Sequence, residues 1–454
     1  MSERTIAAIA TPLGEGGISV IRISGEDAIS VAEKCFVAFS GKALSSLDGY
    51  QASYGKVTDE NGNTIDDAVA LVFRAPKSYT GENVVEISVH GGTVIARQVL
   101  RRVLSCGAAL ATGGEFTKRA FVNGKLDLTK AESVMGLISA RSDAAAKISR
   151  GAREGRISRD TESILDKLLE TAASLAAFAD YPDEDIPNLS EENFALLLDE
   201  CNAKCQKLIS TYDTGRIIRE GINCAIVGKP NVGKSTLMNL LCGSDRSIVT
   251  DIAGTTRDVV ETTVNIGDVT LNLADTAGIH STDDTVEKFG VDKALQKIDN
   301  AELLLAVFDS SIPLDSNDKQ LLKNIKDKKC IVILNKTDLD FALNKSDLDG
   351  FELVEISAKL GNGYDSLCGA INRVCQTEML SADDTVLINE RQRDCVNRAL
   401  GAVCAAQDAL AMGMTLDAVG VCVDDAIAAL LELTGKRVTN EVCDEIFRRF
   451  CVGK

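Results

Sequence analysis

Histidine is nearly absent from this chain: only His90 and His280 occur among 454 residues. A histidine-rich metal centre therefore lacks the imidazoles it needs, and a Ser-His-Asp triad is not expected. Cys-x-x-Cys pairs are missing as well, although 14 cysteines are scattered along the chain. That dispersion fits buried free thiols in a reducing compartment better than disulfides. Positive charge is in deficit. Asp and Glu number 67 against 49 Lys and Arg, a formal net charge of −18, which excludes a generally basic surface that binds nucleic acid without regard to sequence. No apolar run approaches the roughly 20 residues of a membrane span, and Met1-Ser2-Glu3-Arg4 lacks the charged-then-apolar opening of a secretory signal. The expectation is a cytoplasmic protein with no membrane partner, long enough for about three domains with separate cores.

Five short motifs fill the middle of the chain. Gly228-Lys229-Pro230-Asn231-Val232-Gly233-Lys234-Ser235 fits Gly-x-x-x-x-Gly-Lys-Ser. In such a loop the glycines turn backbone N–H groups inward around phosphate, while Lys234 reaches the β- and γ-phosphates and Ser235 ligates Mg²⁺. The apolar stretch Ile222 to Val227 reads as a buried strand entering the loop, and Ser235 to Leu241, with Thr236 in its first turn, as the helix leaving it. Asp275-Thr276-Ala277-Gly278 ends another apolar run, Val269 to Ala274, which puts Asp275 near the Mg²⁺ water and Gly278 beside the γ-phosphate. Asn335-Lys336-Thr337-Asp338 ends the strand Ile331 to Leu334, so that Asp338 accepts from the guanine N1 and N2 hydrogens, and Ser357-Ala358-Lys359 offers a backbone N–H to guanine O6. Adenine would leave these groups unpaired, and such sites discriminate by roughly 10⁴-fold. The chain is expected to bind GTP in preference to ATP and to hydrolyse it.

Where Ras-type switches place a water-orienting Gln, this chain has Ile279. An aliphatic side chain cannot orient the attacking water, so hydrolysis needs another polar group and another source of positive charge. The Asn231 amide oxygen, with carbonyls from the segment Thr250-Asp251-Ile252-Ala253-Gly254-Thr255-Thr256-Arg257-Asp258, makes an oxygen cage suited to a weakly hydrated monovalent cation. Such an ion neutralises charge building on the β–γ bridge.

Around this core the periodicity changes. Residues 1 to about 120 alternate β-rich runs (Ile18 to Ile23, Ala68 to Phe73, Val84 to Val89) with helices such as Val94 to Leu104, an α+β pattern. Long helices are expected from Leu128 to Ile209, interrupted at Pro182 and Pro187, and again over Val386 to Met412, Leu416 to Leu433 and Glu441 to Phe450. The boundaries expected are 1–120, 121–216 for the first helical part, 217–378 for the G domain and 379–454 for the second helical part, the helical parts forming one bundle. Lys147, Arg150, Arg153, Arg156 and Arg159 form one basic stripe on a helix. It reads either as a solvated face paired with Glu154 and Asp160 or as a phosphate contact.

Longer strings carry a resemblance. Ile6-Ala7-Ala8-Ile9-Ala10-Thr11-Pro12, Arg22-Ile23-Ser24-Gly25, Ser78-Tyr79-Thr80-Gly81-Glu82-Asn83, His90-Gly91-Gly92, Gly114-Glu115-Phe116-Thr117, Gly124-Lys125-Leu126-Asp127-Leu128, Tyr181-Pro182-Asp183-Glu184-Asp185-Ile186 and Phe450-Cys451-Val452-Gly453-Lys454 resemble the MnmE (TrmE) family of tRNA uridine-34 modification GTPases over essentially the whole chain. The resemblance implies a multidomain α/β protein: an N-terminal α+β folate-binding-like domain, a helical bundle from two separated segments, and an inserted Ras-like P-loop GTPase domain. It implies a potassium-dependent GTPase whose G domains pair, with Asn231, Thr250, Ile252 and Thr255 on potassium, Ser235 and Thr256 on Mg²⁺, and Glu287 orienting water; the residues alone read Glu287 as an ordinary solvated or capping side chain. A tetrahydrofolate derivative would meet Arg22, Glu86, Lys125 and Lys454. The implied partners are a second copy of the chain, an FAD-containing MnmG-like protein in a hetero-tetramer, and tRNA, whose wobble uridine receives an aminomethyl-type group at C5. Cys451 is a possible thiol nucleophile by position and a small core residue by type. Relatives carry Arg-Pro-Gly-Glu-Phe where Thr112-Gly113-Gly114-Glu115-Phe116 stands here. The rival reading is a GTP-controlled RNA-binding factor of ribosome assembly without modification chemistry.

Overall fold

The computed structural model describes residues 4–180, 191–243, 262–267, 269–273, 298–299, 301–375, 384–448 and 450–453. The chain divides into two compact units, one built from 1–135, 161–172 and 421–454, the other from 136–160 and 173–420.

In the first unit seven strands form one sheet in the order Phe36–Ala38, Gln51–Thr58, Thr64–Phe73, Val84–His90, Ile18–Ser24, Ile6–Ile9, Ala109–Leu110. Neighbours run antiparallel except the last pair. Alternation sorts the two faces. Ile21, Ile23, Val85, Ile87, Ala70 and Val72 are buried with Val99 and Val103 of the helix Thr93–Ser105, each large aliphatic contributing about 1.5–3 kcal/mol. Arg22 and Glu86 lie between them in sequence and pair directly across the strands. The strands expected at 18–23, 68–73 and 84–89 are present. Gln51–Thr58 was not expected, because Ser53 and Gly55 occupy positions on its buried side where an apolar residue would have marked it. The helix Asn440–Arg448 packs Cys443 and Phe447, with Phe450 beyond it, against Leu128 and Ala131 of the helix Leu128–Ile138. The carboxyl-terminal segment thus shares a core with residues some three hundred positions earlier.

The second unit holds a six-stranded sheet in the order Glu352–Glu355, Cys330–Asn335, Leu303–Asp309, Ile222–Val227, Val269–Leu273, Thr262–Ile266. All pairs are parallel except the last. Every residue of Leu303–Asp309 and Cys330–Asn335 is buried, as a parallel sheet covered on both faces requires. The helices Glu191–Ser210 and Glu390–Ala411 pack along each other, and Asn202 Nδ2 donates to Gln407 Oε1 at 2.8 Å. Segments on either side of the inserted sheet therefore meet in one bundle.

Two expectations are corrected. The helix expected from Val386 begins at Glu390, where the Asn389 side chain accepts from the Gln392 amide, an N-cap that holds Val386 to Ile388 outside the helix. The basic stripe lies not on one helix but on two, Asp143–Arg153 and Arg156–Asp180, parted at Gly155, whose φ of 85° breaks the helical backbone.

Candidate functional site

Parallel strands bring their carboxyl ends to one edge, where binding loops collect. Here the aligned ends are Val227, Asp309 and Asn335: Ala306 pairs with Val227, and Asp309 with Asn335. The loop after Val227 carries Asn231 at φ 65° and Gly233 at φ 99°, the left-handed region that Asn tolerates and Gly prefers. A Cβ on Gly233 would lie 2.2 Å from Asn335 Nδ2. Lys234 heads the helix Lys234–Gly243, and its Nζ donates to the Gly228 carbonyl at 2.9 Å and the Lys229 carbonyl at 2.6 Å. Ser235 and Thr236 follow, exposed in the first turn. Backbone N–H groups at a helix start plus this ammonium suit a phosphate chain.

One side chain fastens three motifs together. Asn335 Nδ2 donates to the Val232 carbonyl at 2.8 Å, and Asn335 Oδ1 accepts from the Ala358 amide at 3.0 Å. Asp338 accepts from Ser357 Oγ at 2.6 Å, a bond that holds its carboxyl below the usual carboxylate range. An ionised acceptor at that place matches the two donors of a guanine edge. Lys336, at φ 65°, reaches Asp309 Oδ2 at 2.5 Å. Burial opposes ionisation of Asp309, but hydrogen bonds from Lys336 and Ser311 outweigh it, and the carboxyl stays below its ordinary value. Thr337 donates its amide to the Ile356 carbonyl, tying the base-reading turn to the segment that carries Ser357 and Lys359. These bonds bring the loop residues Asn231, Val232, Gly233, Lys234 and Ser235 to the same sheet edge as Asn335, Asp338 and Ser357. Thr250, Asp251, Ile252, Ala253, Gly254, Thr255, Thr256, Asp275, Thr276, Ala277, Gly278 and Glu287 lie outside the described residues, as does Lys454.

Among the expected folate ligands, Arg22 Nε donates to Glu86 Oε1 at 2.8 Å, and Arg22 Nη1 to the Gly453 carbonyl at 3.2 Å. The Arg22 guanidinium stands 5.7 Å from the Phe116 ring centre and 5.8 Å from that of Tyr79, within cation–π range. Lys125 donates to the Pro76 carbonyl at 3.0 Å and lines a cavity of about 350 Å³ with Tyr50, Phe73, Lys77, Ser78 and Tyr79. Tyr79 therefore stands between the Arg22–Glu86 pair and the Lys125 cavity. Cys451 is exposed; its carbonyl accepts from the Gly114 amide, and Val452 bridges to Gly113. The departure from the relatives falls at Thr112-Gly113, where they carry Arg-Pro. A Cβ on Gly113 would lie 2.6 Å from the Phe450 carbonyl, and one on Gly114, at φ 69°, would lie 2.5 Å from that of Phe447.

Sequence reasoning missed three contributors. Lys229 of the phosphate loop pairs with Asp315 and Asp318, both at 2.6 Å, and these two carboxylates form the capping box of the helix Ser316–Ile325. The capping pattern Asp-x-x-Asp was the available signal. Tyr79 lay within a quoted string without a role. Arg119, buried, joins Glu82 at 3.1 Å and Glu115 at 3.0 Å; nothing local in the sequence marks a cation for burial.

Residues 5–125 match the family model described as the GTP-binding protein TrmE N-terminus, and residues 128–451 match that of the MnmE helical domain. Among curated relatives, the tRNA modification GTPase MnmE of Clostridioides difficile is 40% identical over 455 residues, covering 99% of each chain. Its namesake in Carboxydothermus hydrogenoformans is 39% identical over 461 residues, covering 100% of each. That of Geobacter sulfurreducens is 40% identical over 458 residues, covering 100% of this chain and 99% of the relative.

Proposed function

Because the chain belongs to the MnmE family of tRNA modification GTPases, we propose that its GTP hydrolysis is potassium-dependent and that, with an FAD-containing MnmG-like partner, it adds a carboxymethylaminomethyl or aminomethyl group to C5 of wobble uridine 34. The observation that carries the GTPase half is the Asn335 amide, which joins the phosphate loop to the Ala358 segment and so sets both ends of a nucleotide site from one residue. Asp338 reads the guanine, Lys234 holds the phosphates, and Ser235 with Thr256 offers hydroxyls to Mg²⁺.

Asn231 supports the potassium reading. Its left-handed φ of 65° turns the loop at the residue whose amide is exposed, so an oxygen is available to a cation beside the phosphates. Bound there with Thr250, Ile252 and Thr255, a monovalent cation supplies the positive charge that an arginine finger supplies elsewhere. Glu287 is the proposed water-orienting residue. In the other unit, Arg22, Glu86, Lys125 and Lys454 are proposed to hold a tetrahydrofolate derivative, with Cys451 close by: Glu86 accepts from an amidine edge, and the cations meet carboxylates. The Arg22 bond to the Gly453 carbonyl supports this, since it brings the C-terminal tail to the same pair. The proposed domains are 1–120 for folate binding and homodimerisation, 121–216 and 379–454 for the bundle, and 217–378 for the G domain, in a cytoplasmic protein. Among the described residues no helix is long and apolar enough to cross a membrane.

One reconstitution tests the whole. The chain, the flavoprotein, a one-carbon tetrahydrofolate, GTP and tRNA are combined in potassium buffer, and the wobble nucleoside is analysed by mass. The modified uridine is expected only when both proteins are present. GTP turnover should fall at least about tenfold in sodium or on Asn231→Ala, on the order of the 1.4 kcal/mol that one charge contact at the transition state supplies. Unmodified uridine in the complete mixture would favour the ribosome-assembly reading, and equal rates in both salts would remove the cation.

A further inference from the structure

We propose that the exposed cationic face formed by Lys147, Arg150 and Arg153 is the surface on which this chain grips the ribose-phosphate backbone of its tRNA. The proposal rests on the tRNA-modifying reading above and adds to it where the RNA lies.

The helix Asp143–Arg153 buries Ala145, Ser149, Gly151 and Ala152, and leaves Lys147, Arg150 and Arg153 exposed. At about 100° per residue, cations three positions apart cover an arc of about 120° turned away from that buried side, their Cβ atoms about 5–6 Å apart. Such a row follows a string of phosphates. The alternative of a face paired with Glu154 and Asp160 is not met: among the described residues no ion pair joins Lys147, Arg150, Arg153 or Arg159 to Glu154, Asp160 or any other carboxylate, whereas Arg22, Arg119, Arg216, Arg373 and Arg398 each have at least one. Arg150 and Arg153 gain something from the helix C-terminus, but Lys147 stands a turn and a half before the end and Arg159 sits on the next helix. In a chain of net charge −18, this row of cations without carboxylate partners complements a polyanion.

The support beneath this face adds a second argument. The helix Asp143–Arg153 packs on the helix Tyr212–Glu220, which packs on the strand Val269–Leu273. Asn265 Nδ2 donates to the Arg141 carbonyl, just ahead of the basic helix, and Asn272 Nδ2 donates to the Glu220 carbonyl at 3.1 Å. These asparagines belong to the hairpin that, in sequence, joins Thr256 to Asp275, both expected at the Mg²⁺. A polyanion on the basic helix therefore lies on a support that includes the hairpin between Thr256 and Asp275 in sequence. A soluble acidic protein or an anionic lipid surface would need no such connection.

The test measures binding of a full-length tRNA transcript to the full-length chain at salt concentrations from 50 to 200 mM. Arg150→Glu with Arg153→Glu should weaken affinity roughly tenfold or more and make the dependence of log affinity on log salt shallower by about two. Turnover of GTP without RNA should be unchanged. Arg150→Gln with Arg153→Gln, gentler at a helix end, should give an intermediate loss with an unchanged melting curve. Unaltered affinity and slope in both variants overturn the proposal. So does a loss confined to binding of the flavoprotein, or to vesicles containing phosphatidylserine. Wild-type chain that modifies tRNA while the variants bind it equally well removes only this surface; wild-type chain that binds no tRNA removes the underlying reading too.

Discussion

The nucleotide edge of the six-stranded sheet and the Arg22–Glu86 corner of the seven-stranded one solve opposite problems of assembly. At the first, ligand-reading groups come in short consecutive runs at the ends of parallel strands, and one buried amide, Asn335, sets their spacing. At the second, the groups come singly. Arg22 and Glu86 are 64 residues apart, and Gly453 is 431 from Arg22. A parallel sheet concentrates chemistry where its strands stop, while the face of an antiparallel sheet spreads it over cross-strand neighbours and whatever packs on them.

If that contrast is right, the nucleotide edge fails abruptly and the corner by degrees. The largest effect is expected at Asp338. Asp338→Asn replaces an acceptor of two hydrogen bonds with a group that offers donors, so calorimetry should show GTP affinity falling by about 10³-fold or more. Xanthosine triphosphate, whose C2 carries an acceptor, should recover much of the loss. Undiminished GTP binding would mean that the Ser357–Asp338 pair does not face the base, and the site would have to be rebuilt.

A smaller effect belongs to the corner. Arg22→Met removes the donor to Glu86 and to the Gly453 carbonyl, leaving a carboxylate whose side chain is 23% exposed without its partner. The unit should lose about 1–3 kcal/mol in denaturant unfolding. Adding Glu86→Gln should return part of that, since a neutral amide tolerates the site better than an orphaned charge. GTP turnover should not change. Additive losses from the two substitutions would show that the pair is not coupled.

Legibility followed the same division. The strands Ile222–Val227 and Cys330–Asn335 were legible because a buried parallel strand is a continuous apolar run, and the loops after them carry residue types that little else explains. What lay between the motifs was not legible. Nothing in the sequence says that Asn335 bonds Val232, or that Lys229 is clamped by Asp315 and Asp318, because those pairings depend on strand order. In the first unit Arg22 and Glu86 are ordinary strand residues until register places them side by side, and only the family resemblance singled them out. Glycine misled once: spacing by three carried the basic stripe straight through Gly155, where the helix breaks.

The smallest effect lies away from both sites. His90 Nδ1 meets Asp66 Oδ1 at 2.8 Å, and the same carboxylate accepts the His90 amide. The hydrogen bond to Asp66, then its charge, with a lesser contribution from Asp67, raises the imidazole above its ordinary value. A raised folded value means that the pairing stabilises fully below the unfolded pKa of about 6.5, and that this contribution is lost as pH climbs through the folded value. Asp66→Asn should therefore move the His90 titration downward when its ring protons are followed by NMR, and should flatten the fall in stability as pH rises above about 6.5. Neither GTP binding nor the Arg22–Glu86 pair should respond, because His90 lies at the far end of the same strand, opposite Ile18, and faces solvent. A shift in GTP affinity would show that the antiparallel face and the nucleotide edge are linked, and the contrast between concentrated and distributed sites would then describe one coupled system.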